Sequence, residues 1–297
     1  MLTRRVLLVV GAGALAGCSG STAAPESNPT GATPSRTPVP SASSPTASSP
    51  TVPAPSTPAL PRVRLWVPGR GELVPAAKAA AVQAVQKSLG GPNKVVEVID
   101  AQYGGLLVDT ASVLVPCRVY FVANGKLVTG GTTVDVRLSR SGQTWRVTAM
   151  HPAQPGAATT RLSAAAKQVL ASDRIILPPA SAADIRSGAI HDTVLAAMLT
   201  LAKTYTIGIS VIRSGHPLNV FGTDRPSDHP QGRAFDTWQI NGRAVVDPGT
   251  SRSLITTYMR AAATTGSYNV GGPYQLSGAT YFSDRTHHDH VHAGFSA

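Results

Sequence analysis

From Pro25 to Pro61 the chain carries 11 prolines and 14 serines or threonines, with almost no large apolar side chain. Such a stretch cannot bury enough surface to offset the entropy of ordering it. Residues 19–61 therefore read as a disordered Pro/Ser/Thr-rich linker, and any fold must be built from residues 62–297. Extended at up to about 3.1 Å per residue, the linker would hold its cargo up to ~100 Å from its anchor.

The residues before the linker read as an address. Arg4 and Arg5 precede an apolar run, Val6 to Ala16, too short to span a bilayer, with small residues after it. That is the pattern of a secretory signal. The run ends Leu15-Ala16-Gly17-Cys18, which resembles the lipobox of bacterial lipoproteins. The resemblance implies a leader over residues 1–18, acylation of Cys18 and a lipid anchor on the outer face of the cytoplasmic membrane. Thr3 to Leu8 also resembles a twin-arginine signal, so the export route stays open. Two cysteines exclude a disulfide scaffold, and Cys117, inside an apolar run, reads as a buried thiol.

Beyond the linker the sequence predicts two small α+β domains. Residues 62–152 open on the alternating Val63 to Val67, then an alanine-rich helical stretch, Ala76 to Leu89, closed by Gly90-Gly91-Pro92. Strand-like runs come next at Val95 to Ile99, Ser112 to Val122, Leu127 to Leu138 and Thr144 to Met150, with Asn124-Gly125 as a two-residue hairpin signal. A helix followed by an antiparallel meander resembles cystatin-like modules. Residues 153–297 alternate helical patches (Leu162 to Ala171, Thr193 to Tyr205, Ser251 to Thr265) with strand-like runs. These strands are Ile207 to Ile212, Ala234 to Ile240, Ala244 to Val246 and Val291 to Phe295, with Asn241-Gly242 as a second hairpin. A small antiparallel sheet is expected.

Charge narrows the partners. The chain has 26 Lys+Arg against 15 Asp+Glu, and residues 62–152 carry 11 against 5. A basic face there fits anionic wall polymers or lipid headgroups. Nucleic acid is not expected, because the protein is read as exported and no basic run interleaves with aromatics. No apolar run reaches the ~20 residues of a spanning helix, which excludes a polytopic membrane protein.

The histidines select the chemistry. Six of the eight fall in the last 82 residues. One lies in Ser227-Asp228-His229-Pro230-Gln231-Gly232-Arg233-Ala234-Phe235-Asp236, and Asp289-His290-Val291-His292 opens an apolar strand downstream. Hydrolytic zinc takes three protein ligands and leaves one position open. A loop imidazole, a carboxylate on the next strand and an imidazole on a neighbouring strand would supply them. Residues two apart on a strand share a face, so His290 and His292 are expected to enter one cavity, one for metal and one for protons. His216, His287 and His288 fit no motif and read as surface or supporting residues.

Ser-x-His-x-x-Gly-x-Ala-x-Asp followed by His-x-His resembles the zinc peptidases that include D-alanyl-D-alanine carboxypeptidases of the VanY type, lysostaphin-like endopeptidases and the hedgehog signalling domain. The match covers roughly residues 195–297. It implies Zn2+ held by His229, Asp236 and His292, with His290 beside the reacting water, Arg213 facing substrate and Ser227 helping to hold it. It further implies a hedgehog-like antiparallel sheet and a membrane-anchored peptidase acting on peptidoglycan stem peptides, as a carboxypeptidase or an endopeptidase. One departure matters: carboxypeptidases of this group use Glu-x-x-His, and residues 153–297 contain no glutamate. Asp289 stands at that position with a shorter side chain, and on a regular strand it would face away from His290 and His292. His290 is thus the first choice for proton transfer and Asp289 the second. The alternative is a wall-binding lipoprotein that hydrolyses nothing and uses zinc to brace its fold.

Overall fold

The structure, a computed structural model, describes residues 58–296. The expected leader, Cys18 and the linker as far as residue 57 lie outside them. Residues 58–69 form no regular element. The alternating Val63 to Val67 is not a strand: Leu65 and Val67 are exposed and only Trp66 packs against a core. Alternation has no consequence where no sheet edge lies alongside to pair with.

The first half is one helix on one sheet. Pro75 starts α1 (Pro75–Leu89), its fixed φ suited to a first turn, and Gly90 ends it. Ala77, Ala81, Val82 and Val85 are buried on the sheet. The strands are β1 (Lys94–Val98), β2 (Gln102–Leu106), β3 (Thr110–Ala123), β4 (Lys126–Ser141) and β5 (Thr144–Pro152). Their order is β1-β3-β4-β5, with β2 also paired to β3. Asn124 and Gly125 turn β3 into β4 with φ of 51° and 68°, as a two-residue hairpin requires. The short β2 was not expected from the sequence, because its two glycines lower strand propensity.

The second half is built from α2 (Ala164–Ala171), β6 (Ile175–Ile176), α3 (Pro179–Arg186), α4 (Asp192–Ala202), β7 (Ile207–Val211), β8 (Ala234–Ile240), β9 (Arg243–Ala244), α5 (Arg252–Thr264), β10 (Asn269–Gly271), β11 (Tyr281–Phe282) and β12 (Val291–Gly294). The sheet order is β11-β10-β12-β8-β7-β6, with β9 beside β8. The central pairs are antiparallel, and only the two-residue edge strands β6 and β11 pair parallel. Helices α4 and α5 bury Met198, Leu201, Ile255 and Met259 in the core under this sheet. The described residues are thus mixed α+β, with antiparallel sheets, as expected. Among them no helix is long and apolar enough to cross a membrane.

The two halves have separate apolar cores, yet polar contacts bind them closely. Tyr103 N donates to Asp289 Oδ2 at 3.0 Å and Leu106 N to Thr286 Oγ1 at 3.1 Å. At Gly105 a Cβ would come within 2.1 Å of the Phe221 ring, so only glycine lets β2 approach the second half this closely.

Candidate metal centre

Strand pairing builds the centre. β12 runs antiparallel to β8 with His292 directly opposite Asp236, and opposed residues share a face with their side chains in contact. His229 enters from the loop before β8. Its Nδ1 lies 2.8 Å from the Ile212 carbonyl and its own carbonyl accepts from Gly232 N. Gly232 has φ 71°, and a Cβ there would come 2.0 Å from the Ala189 carbonyl oxygen. The glycine of the motif is what lets the loop return to the sheet with its histidine pointing inward.

Three atoms then meet. His229 Nε2 is 3.2 Å from Asp236 Oδ1 and 3.2 Å from His292 Nδ1, and His292 Nδ1 is 2.9 Å from Asp236 Oδ1. Ligand atoms bonded at about 2.0–2.1 Å around a tetrahedral zinc stand roughly 3.3 Å apart, so the triangle has the size of one face of such a site. The donor chemistry agrees. A carbonyl only accepts, so His229 Nδ1 carries a proton and Nε2 is the ring atom turned on the triangle. His229, Asp236 and His292 are all buried. Burial works against the Asp236 carboxylate, but His229 and His290 outweigh it and hold the group well below the usual carboxylate range. Burial pushes His292 down to about 4, so its ring is neutral. His216 stacks on His229 with ring centroids 4.1 Å apart, and a nitrogen of His216 lies within 4.8 Å of the ligand atoms of His229 and Asp236.

His290 stands beside the triangle. Its Nδ1 donates to Asp289 Oδ1 at 2.6 Å, which fixes the tautomer, and its Nε2 lies 3.7 Å from Asp236 Oδ2. Burial disfavours the imidazolium, but the Asp236 and Asp289 carboxylates outweigh it and the net shift is upward. Asp289 does not reach the cavity. Its other oxygen accepts from Tyr103 N and pairs with Lys78 Nζ at 2.6 Å. Strand alternation does not explain this arrangement, because β12 begins only at Val291 and residues 286–288 form a single 3-10 turn. Glu72, His288 and Asp289 form a second cluster of ligand-type atoms, but Lys78 fills it, its ammonium 2.5 Å from Glu72 and 2.6 Å from Asp289.

A cavity of about 460 Å³ opens on the centre, lined by His229, Asp236, His290 and His292 together with Ser227, Tyr103, Phe221 and His287. Ser227 is buried, its Oγ 3.4 Å from His216 Nδ1. The structure does not bring Arg213 here. Its guanidinium pairs with the buried Asp184 at 3.6 Å, reaches the Pro155 carbonyl and lines a neighbouring cavity of about 480 Å³. The arginines that line the centre's own cavity are Arg225 and Arg285.

Four residues escaped the sequence. His287, read as supporting, lines the cavity and pairs through Nδ1 with Asp284 at 2.7 Å. Lys78, Gln102 and Tyr103 come from the first half of the chain. A signal existed for Lys78 alone, since it precedes the buried Ala81 and Val82 by three and four residues on α1, and so shares their face. Comparison with protein-family models, with curated proteins and with solved structures finds no match.

Proposed function

We propose that the chain is an exported, lipid-anchored zinc peptidase that hydrolyses amide bonds of peptidoglycan stem peptides, its second half folded in the hedgehog and D-alanyl-D-alanine peptidase manner. The observation that carries this reading is the triangle of His229 Nε2, His292 Nδ1 and Asp236 Oδ1, with edges of 2.9 to 3.2 Å, lining a cavity that His290 also lines. His229, Asp236 and His292 would hold the ion. When bound, zinc supplies Lewis-acid polarisation of a carbonyl and a more acidic water.

The remaining work falls to the chain's own groups. His290, its Nδ1–H committed to Asp289, has Nε2 free to take a proton from the attacking water and return it to the leaving amine. Asp289 positions His290 and transfers nothing itself. Arg225 and Arg285 line the cavity and supply cations for the carboxylates of a stem peptide, the part expected of Arg213. An exported peptidase on a tether meets wall peptides before any other substrate.

Metal analysis of the purified chain, paired with mass spectrometry of muropeptides after incubation, tests the proposal. Zinc bound at one ion per chain and shortened stem peptides are expected. The His290→Ala variant should keep its zinc and lose about 10²–10⁴-fold in rate. Wild-type protein that holds zinc and leaves every muropeptide intact would overturn the assigned activity. Full turnover in His290→Ala would overturn the assigned role.

A further inference from the structure

We infer that Gln102, in the first half of the chain, belongs to the metal centre as a positioning residue that makes Asp236 a one-oxygen ligand. The inference rests on the metal site proposed above and extends it to a residue outside the histidine motif.

Asp236 has two oxygens with separate duties. Oδ1 faces His229 Nε2 and His292 Nδ1, while Oδ2 accepts from Gln102 Nε2 at 2.5 Å. The amide has only one orientation open to it. An ionised carboxylate only accepts, so the NH2 end of the amide must face Asp236 Oδ2, which turns the oxygen end to Ser210, whose hydroxyl donates to Gln102 Oε1. Gln102 and Ser210 are both buried, at 1% and 0% exposure. Ser210 lies on β7, next to β8 in the sheet. The second half thus orients the amide, β2 supplies it and β8 receives it.

Strand β2 is itself held against the centre. Tyr103 N, one residue on, donates to Asp289 Oδ2, and Leu106 N donates to Thr286 Oγ1. A carboxylate with one oxygen tied turns less freely about its terminal torsion and favours offering its other oxygen to an ion. Hydrogen-bond partners of this kind change metal affinity by about 10–100-fold.

Zn2+ affinity of the full chain, measured by competition with a chelator, tests the inference without reference to catalysis, and the melting of metal-free protein reports on folding. Gln102→Leu, close in volume and unable to donate, should bind Zn2+ about 10–100-fold more weakly and shift the d–d absorption of the Co2+-loaded protein. Ser210→Ala, which removes the hydrogen bond that anchors the oxygen end of the amide, should weaken binding in the same direction by less. Wild-type affinity in a folded Gln102→Leu variant overturns the inference. Should that variant not fold, unchanged affinity in Ser210→Ala overturns it instead. Wild-type protein that binds zinc but cuts no stem peptide overturns the peptidase reading and leaves this one standing; wild-type protein that takes up no zinc overturns both.

Discussion

Lys78 Nζ lies 2.6 Å from Asp289 Oδ2, so the one helix of the first half reaches the carboxylate that fixes the His290 tautomer. Both side chains are almost fully buried, at 1% and 2% exposure, and Glu72 is a third member at 2.5 Å. Burial opposes the ammonium, and the Asp289, Glu72 and Asp100 carboxylates outweigh it, so the net shift of the lysine is upward. Removing one partner of a buried pair strands the other and costs about 3–5 kcal/mol. Lys78→Met should lose that much unfolding free energy in urea titration. The triple variant Lys78→Met, Glu72→Gln, Asp289→Asn, which removes both carboxylates that touch the ammonium, should recover part of it. A single variant as stable as wild type would remove the helix from the account of His290.

Metal removal has a signed consequence. An ion that binds only the folded chain stabilises it by about 2.7 kcal/mol at a hundred times its dissociation constant. Chelation should therefore lower the melting temperature of the wild type, and the shift should vanish in His229→Ala, Asp236→Ala and His292→Ala. His290→Ala and His287→Ala should keep the shift, since neither residue supplies a vertex of the triangle. A chelator effect that survives in His229→Ala would place the ion elsewhere.

How much of the fold and the centre was legible in the sequence depends on which forces are local. The hairpins at Asn124-Gly125 and Asn241-Gly242 were legible because their four positive φ values, 51° to 76°, suit so few residue types. Helix α3 was hidden behind Pro178-Pro179, although proline at a first turn is a start signal as well as a breaker. In the centre, spacing marked His229, Asp236 and the pair His290 and His292, and the resemblance to zinc peptidases is what implied His292 as the ligand of that pair. Gln102 was not marked: it meets Asp236 only through packing of residues 134 apart, and nothing around Gln102 in the sequence announces it. Asp289 departs from expectation for a local reason, since strand alternation does not extend into the turn that precedes β12.

Arg213 offers a direct contrast with the expectation from the motif. Its partner Asp184 is fully buried and its Oδ2 accepts from Ser214 N at 2.9 Å, leaving the arginine as the cation beside Oδ1. Losing the cation that faces a buried carboxylate costs about 1–3 kcal/mol. Arg213→Ala should thus be destabilised by that amount in urea while KM for stem peptides stays near that of wild type. A tenfold rise in KM with unchanged stability would return Arg213 to the substrate.

Cys117 is fully buried, and burial pushes its thiol up to about 11. At pH 8 a thiol of that pKa is ionised in roughly one molecule per thousand. A thiol reagent should leave the native chain unmodified at Cys117 and label it on unfolding, as read by mass spectrometry. Rapid labelling of the native chain would contradict the burial.

Separating the halves is the most demanding test of the assembled centre. The described folded residues form one compact unit, and β2 lies against the second half through Tyr103 N, Leu106 N and the Gln102 amide. Residues 153–297 expressed alone would expose the buried Asp236 and Asp289 carboxylates without Gln102 and Lys78. An unpaired buried charge is not sustained; water enters or the segment rearranges. The fragment should keep helical far-UV signal from α4 and α5, whose core is their own, but melt less cooperatively and bind Zn2+ more weakly than the full chain. Adding residues 62–152 as a separate polypeptide should restore part of that affinity. A fragment that binds Zn2+ as tightly as the full chain would show that the centre needs only the histidine motif.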